Sequence, residues 1–381
     1  MTARDRTTTL TRRSLLQGTA RLTGAAATIA ALRTAFPSGA FAQAAGPETT
    51  KATLGFIALT DSTPLIIAKE KGLFDQVGLT EVTVAKQASW GTTRDNLVLG
   101  SAGGGIDGAH ILTPMPYLMT LGSITAGKPL PMQILCRLNT NGQAISVAKE
   151  LAGATVDAKP LQAAFAGMKA KGQEVKCAVT FPGGTHDLWM RYWLAAAGID
   201  PNKDVSTIVV PPPQMVANMK VGNMQAFCVG EPWNDQLVHQ GIGYSACVTG
   251  ELWKDHPEKT FAMRADWVDA HPKAAEALLQ AVLEAQRWAD KAENKEEMAQ
   301  IIGRRAWFNV PPADILPRSL GTIDYGDGRK VENSPLLMKF WRDFASYPFQ
   351  SHELWFLTED RRWGYIAPDV DLKALIGQGC E

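Results

Sequence analysis

Apolar strand-like runs alternate with helix-start signals over most of this chain, and that alternation admits few architectures. Residues 54–60 form an apolar run, followed by Asp61-Ser62-Thr63-Pro64, which supplies N-cap candidates and a proline for the first helical position. Residues 82–84 are the next strand. Thr92 or Thr93 then caps a helix through Leu99, and 106–110 is another short strand. A second series opens after 145–147, with strands over 175–181, 206–210 and 226–229 and helices from His186 and over 215–221. Such a series builds parallel or mixed sheets with helices on their faces. Beyond Arg264 the pattern turns helical, over 272–292 and 295–302. The aromatic-rich end, from Trp341 through Trp355 to Tyr365, reads as an irregular wrap packed back on the first half.

The N-terminus reads as an address rather than a structure. Arg12-Arg13-Ser14-Leu15-Leu16 follows a basic, Ser/Thr-rich start and has the form of a twin-arginine signal. An Ala-rich apolar stretch and the small-residue site Ala42-Gln43-Ala44 complete it, so residues 1–44 are expected to be removed on export to the periplasm. The remainder is long enough for two lobes with separate cores. Lys+Arg and Asp+Glu balance at 38 each, so no charge excess argues for nucleic acid or a membrane surface. Five cysteines, at 136, 177, 228, 247 and 380, form no CxxC pair and no metal-ligand spacing with a histidine. Cys177 and Cys228 lie in apolar runs and read as small core residues. One disulfide is compatible with this set, without an assignable pairing.

The stretch from Phe181 to Trp193 carries the strongest chemical signal. A strand ends in Pro182-Gly183-Gly184, Thr185 is an N-cap candidate, and His186 sits in the first turn of an amphipathic helix. Unpaired N–H groups and the positive dipole end make that turn a seat for an anion. Trp90, between a strand and the next helix, offers a donor-only indole N–H. Gln143 ends a turn that runs into an apolar strand, and its amide supplies two donors. Taken singly, Trp90 is as readily a packing residue and Gln143 a turn residue. Gly230 follows a buried strand, where its N–H could face a ligand. Lys254 and Lys259 stand in a polar loop, where one ammonium placed in a cleft would neutralise a monoanion. No GxSxG, GxxxxGK[ST], HExxH or CxxC motif is present, and the six histidines are scattered. Donors without a nucleophile or a metal set favour binding over turnover, so the chain is expected to be no enzyme and to carry no cofactor and no metal.

Longer strings carry a resemblance to a family. They are 55–61 (GFIALTD), Ala88-Ser89-Trp90, 109–116 (AHILTPMP), 181–201, Gly230-Glu231-Pro232-Trp233-Asn234, 253–259, 324–329 and Ser351-His352-Glu353-Leu354-Trp355. The chain resembles the solute-binding proteins of bacterial ABC importers for nitrate and nitrite, whose relatives bind bicarbonate. The resemblance implies an α/β, two-lobed periplasmic-binding-protein type II fold with the ligand in the inter-lobe cleft. Its lobes would be 45–145 plus 260–381, and 146–259. The family's ligand contacts fall on Trp90, Gln143, His186, Gly230 and Lys259. Trp90 and Gln143 would hold the anion from the first lobe and the hinge side, and His186 and Gly230 from the second. His186 would be a binding donor rather than a base. Lys259 would select nitrate, because the bicarbonate relatives place an acidic residue there, associated with calcium.

The implied partners are nitrate, with nitrite as a second ligand, and the permease and ATPase of an ABC importer. Contact with the inner membrane would come only through the permease, with no nucleic acid involved. Three alternatives stand beside this reading. The same scaffold could be tuned to bicarbonate or an organic sulfonate, it could be a nitrate-sensing regulator, or it could be an exported enzyme subunit.

Overall fold

The computed structural model describes residues 46–379, so the twin-arginine segment and Cys380 lie outside the described residues. Its framework is ten strands: β1 Lys51–Phe56, β2 Glu81–Lys86, β3 Gly108–Leu112, β4 Met132–Arg137, β5 Gln143–Ala148, β6 Lys176–Val179, β7 Ser206–Val209, β8 Ala226–Gly230, β9 Gly243–Val248 and β10 Lys259–Arg264. They form two five-stranded sheets, ordered β2-β1-β3-β10-β4 and β7-β6-β8-β5-β9. The sheets repeat one plan. In each, three parallel strands joined by helical crossovers are followed by one antiparallel strand, then a last strand antiparallel to that one.

The antiparallel member of each sheet is the strand at which the chain arrives from the other half. The chain leaves the first sheet at β4 and enters the second at β5; it leaves the second at β9 and returns at β10. The two crossing segments pair with each other, through a bridge between Thr140 and Pro257 and a 3.0 Å bond from Asn141 N–H to the His256 carbonyl. Asn141 and Gly142 turn the first crossing with φ of 57° and 88°, left-handed values that asparagine and glycine tolerate. The architecture is the two-lobed α/β fold, with two crossing segments joining the lobes.

β1, β3, β6 and β8 read as continuous apolar runs because helices cover both faces, and Leu54, Phe56, Ile111, Cys177 and Phe227 have no exposed surface. The cysteines at 136, 177, 228 and 247 are free and buried, and burial pushes the Cys136 and Cys177 thiols up to about 12. Local start signals shift by a few residues from expectation. Ser89 caps the helix Trp90–Leu99, accepting from Thr92 N–H at 3.1 Å, in place of Thr92 or Thr93. Gly184 is the N-cap of Thr185–Ala196, in place of Thr185, because the threonine hydroxyl is used elsewhere.

The C-terminal wrap is more regular than its composition suggests, with helices Gln350–Arg362 and Leu372–Gly379. It reaches both halves. Trp355 stacks on Trp189 at 5.2 Å, on the apolar face of the helix Thr185–Ala196, and its polar face is buried too, where Tyr365 covers Asp187 and Arg191. Glu353 pairs with Arg137 of β4, and Tyr365 donates to Asp187 at 2.6 Å.

Candidate anion-binding site

Parallel strands end with their carbonyl ends in one direction, and the loops that follow them build the cleft. The loop after β1 carries Asp61, the helix after β2 begins at Trp90, and β3 carries His110. The helix after β6 carries Thr185 and His186, β8 ends at Gly230, and β5 and β10 begin at Gln143 and Lys259. Eight residues thus converge because seven strands, loops or helix starts converge. By sheet membership, Gln143 belongs with the second sheet and Lys259 with the first, the reverse of the sides expected for them.

The two halves meet directly here. Thr60 N–H donates to the Glu231 carbonyl at 2.7 Å, and the Trp233 indole N–H to the Ala58 carbonyl at 2.9 Å. Gln143 and Gly230 lie opposite each other in the β5–β8 ladder. The neighbouring Glu231 N–H bonds to the Gly142 carbonyl at 3.0 Å, which makes Gln143 and Gly230 a pair without mutual bonds. The Gly230 N–H therefore points away from β5. Gly230 also has no room for a side chain, since a Cβ would sit 3.1 Å from Asp61 Oδ2 and 3.3 Å from Leu59 Cδ2.

A single chain of polar contacts links the candidate residues across both sheets. Gln143 Nε2 donates to Thr185 Oγ1 at 3.3 Å, and the Thr185 hydroxyl donates to Glu258. Glu258 touches the Lys259 ammonium, which donates to Asp61 Oδ2 at 2.9 Å. Asp61 Oδ1 holds His110 Nε2 at 2.5 Å, and the His110 ring packs on Trp90 at 5.3 Å. Lys259 Nζ lies 5.7 Å from the Trp90 ring centroid. All of these side chains are buried.

In this set the Trp90 indole N–H, His186 Nε2, His110 Nδ1 and the acceptor Gln143 Oε1 are solvent-excluded and unbonded. Buried polar atoms are rarely left so, and unpaired donors beside an ammonium describe a seat for something that only accepts. His186 is electrically neutral there, because burial first, and then the Lys259 charge, hold its pKa well below the ordinary value. Its Nδ1 is bonded to the Thr180 hydroxyl. In the tautomer where the Thr180 hydroxyl donates to Nδ1, the single ring proton is on Nε2, which is then a donor; in the other tautomer Nε2 accepts. Burial also lowers the Lys259 pKa, against the pull of Asp61, and Asp61 stays ionised: burial raises it, but Lys259 and His110 outweigh burial and hold it at about 2.

All five sequence-derived residues are thus buried at the ends of these strands. Lys259 stands apart from expectation in one respect, being the first residue of a buried strand and not part of a polar loop. Four residues were missed as site members: Asp61, His110, Thr185 and Glu258. Asp61 and Thr185 read as helix caps, and only the fold shows their oxygens turned to Lys259 and Glu258. Glu258 carried a signal in its adjacency to Lys259. Among the described residues no group of His, Cys, Asp and Glu is arranged to hold a metal ion, and no helix is long and apolar enough to cross a membrane.

Residues 45–303 match the NMT1-like family. The chain is 63% identical over 334 residues to the nitrate/nitrite binding protein NrtA of Synechocystis, covering 87% of this chain and 74% of that protein. It is 43% identical over 327 residues to the bicarbonate-binding protein CmpA of Synechococcus elongatus, covering 83% of this chain and 72% of the relative. The crystal structure of periplasmic NrtA from Synechocystis superposes with a TM-score of 0.86 at 61% identity, covering 88% of this chain and 87% of that one. The chain belongs to the NMT1-like family, among the periplasmic nitrate- and nitrite-binding proteins of ABC importers and their bicarbonate-binding relatives.

Proposed function

We propose that this protein captures nitrate, with nitrite as a second ligand, in the periplasm and delivers it to the permease and ATPase of an ABC importer. The observation that carries the reading is a closed cleft with an ammonium and two unpartnered buried ring nitrogens, Trp90 Nε1 and His186 Nε2. Nitrate is a planar monoanion with acceptors only, so such a set suits it. The high identity to nitrate/nitrite-binding proteins supports the same choice of ligand.

In this reading Trp90 and Lys259 hold the anion from the first sheet, and Gln143, His186 and the Gly230 N–H hold it from the second. No residue is assigned a chemical step. The lobes divide near 145 and 259, at the paired crossing segments, and hinge motion there admits the ligand and creates the surface that the permease reads. The residues before 45 direct export by the twin-arginine route, with cleavage near Ala44 and a periplasmic product.

A melting panel of the mature protein with nitrate, nitrite, bicarbonate and taurine tests the ligand. Stabilisation by nitrate and nitrite alone is expected. A response to bicarbonate or taurine without one to nitrate would replace this reading. For export, Arg12→Lys with Arg13→Lys should leave the precursor in the cytoplasm; continued appearance in the periplasm would refute the route.

A further inference from the structure

Two carboxyl groups and one ammonium meet in the cleft before any ligand enters it. Asp61 and Glu258 both reach the Lys259 ammonium, and all three side chains are closed to solvent. The histidines around them do not restore the balance, since burial holds His110, His186 and His256 below the ordinary value. On the first-sheet side, Thr113 donates its hydroxyl to the Glu258 carbonyl at 2.5 Å and also contacts Arg137. Arg137 is already paired with Glu353 and lends no net charge. Two carboxylates therefore face one ammonium.

A monoanion added to that set would place three negative groups around a single cation in a low-dielectric space, where like charges repel strongly. Nitrate brings no proton of its own. A proton taken from solvent onto one carboxylate would remove the excess and turn an acceptor into an O–H donor. Asp61 is a poor recipient, because Lys259 and His110 both bind its ionised form. Glu258 is the better one. Its partners are the Thr185 hydroxyl, which can rotate its hydrogen elsewhere, and the same ammonium that an incoming anion would engage.

We propose that the anion is captured together with a proton, held on Glu258, whose O–H then donates to the bound anion. The inference rests on reading the cleft as a nitrate site. Proton uptake on binding means that affinity falls as pH rises. Bicarbonate carries its own O–H, which could donate to an ionised Glu258, so its binding would require no such uptake.

Calorimetry of the mature protein with sodium nitrate, near neutral pH and in buffers of different protonation enthalpy, reads the proton directly. The apparent heat should vary with the buffer in the sense of uptake. Saturable binding with a heat independent of buffer, or with proton release, would overturn the proposal and leave the nitrate reading standing. No saturable heat in any buffer would overturn both. In folded Glu258→Gln the buffer dependence should vanish, with nitrate affinity itself changed because the residue faces the ligand; persistence of the uptake would refute its assignment to Glu258. If that variant does not fold, the wild-type slope still decides.

Discussion

The Lys259 ammonium donates to the Asp61 carboxylate at 2.9 Å, and neither side chain has any exposed surface. The cation at the centre of the cleft is therefore not a free charge waiting for a ligand. It is held by a residue 198 positions away in sequence, which fixes where the ammonium points. Any change at position 259 acts on fold and ligand together.

Lys259→Glu would set three carboxylates side by side without a cation. We expect it to abolish nitrate binding and to destabilise the fold as well, since removing one partner of a buried pair costs ~3–5 kcal/mol. The triple change Lys259→Met with Asp61→Asn and Glu258→Gln removes all three charges and should recover most of that stability without recovering binding. Urea unfolding and nitrate calorimetry on both variants check this; nitrate binding by the triple variant would remove Lys259 from the site.

Gly230→Ala places a methyl group 3.1 Å from Asp61 Oδ2 and 3.3 Å from Leu59 Cδ2, across the meeting of the two halves. The neighbours must move apart, at a cost on the order of 1–3 kcal/mol. Nitrate affinity should fall by ~10-fold or more, at 1.4 kcal/mol per tenfold. Unchanged affinity would show that the halves need not approach so closely.

Trp90→Phe keeps an aromatic ring against His110 and deletes the unpartnered indole N–H. Loss of one buried donor to a bound anion should weaken binding by ~1–3 kcal/mol. Comparing the nitrate-induced rise in melting temperature between variant and wild type separates this from any packing loss. An equal rise in both would mean that the indole N–H does not reach the ligand.

Those residues also show what the sequence could reveal. The alternation of apolar runs and caps was enough for two α/β halves, because fully covered parallel strands must be apolar throughout. The five candidate donors came from local chemistry and family strings, and the structure buries all of them. Asp61 and Thr185 were not, because a carboxylate or hydroxyl ahead of a helix looks the same whether it caps that helix or turns to a strand far along the chain. The side from which Gln143 and Lys259 act was hidden for a related reason. Each is the first residue after a crossing, and only the strand pairing shows to which sheet it belongs. The burial of the polar face of the helix Thr185–Ala196, at Asp187 and Arg191, depends on Tyr365, which no periodicity within that helix encodes.

Acid should weaken the fold through its buried histidines. Burial holds His256 at about 4, with its Nδ1 bonded to the Pro257 carbonyl at 2.9 Å and its Nε2 to the Thr249 hydroxyl at 2.7 Å. In the unfolded chain it titrates near ~6.5, so between these values the unfolded state binds more protons. Stability from His256 is thus complete above ~6.5 and is lost as pH falls toward its folded value, by on the order of 3 kcal/mol in all. The raised carboxyls of Asp235 and Glu353 act in the opposite sense. The comparison to make is therefore between wild type and His256→Gln, by urea midpoint against pH. The wild type should lose more stability on acidification, and parallel curves would contradict the assignment.

The central claim is that the cleft formed by Trp90, Gln143, His186, Gly230 and Lys259 is a nitrate site. Isothermal titration of the mature wild-type protein with nitrate, set beside the same titration with bicarbonate, tests it most directly. We expect saturable single-site heat with nitrate and none with bicarbonate; heat with bicarbonate and none with nitrate would contradict the account.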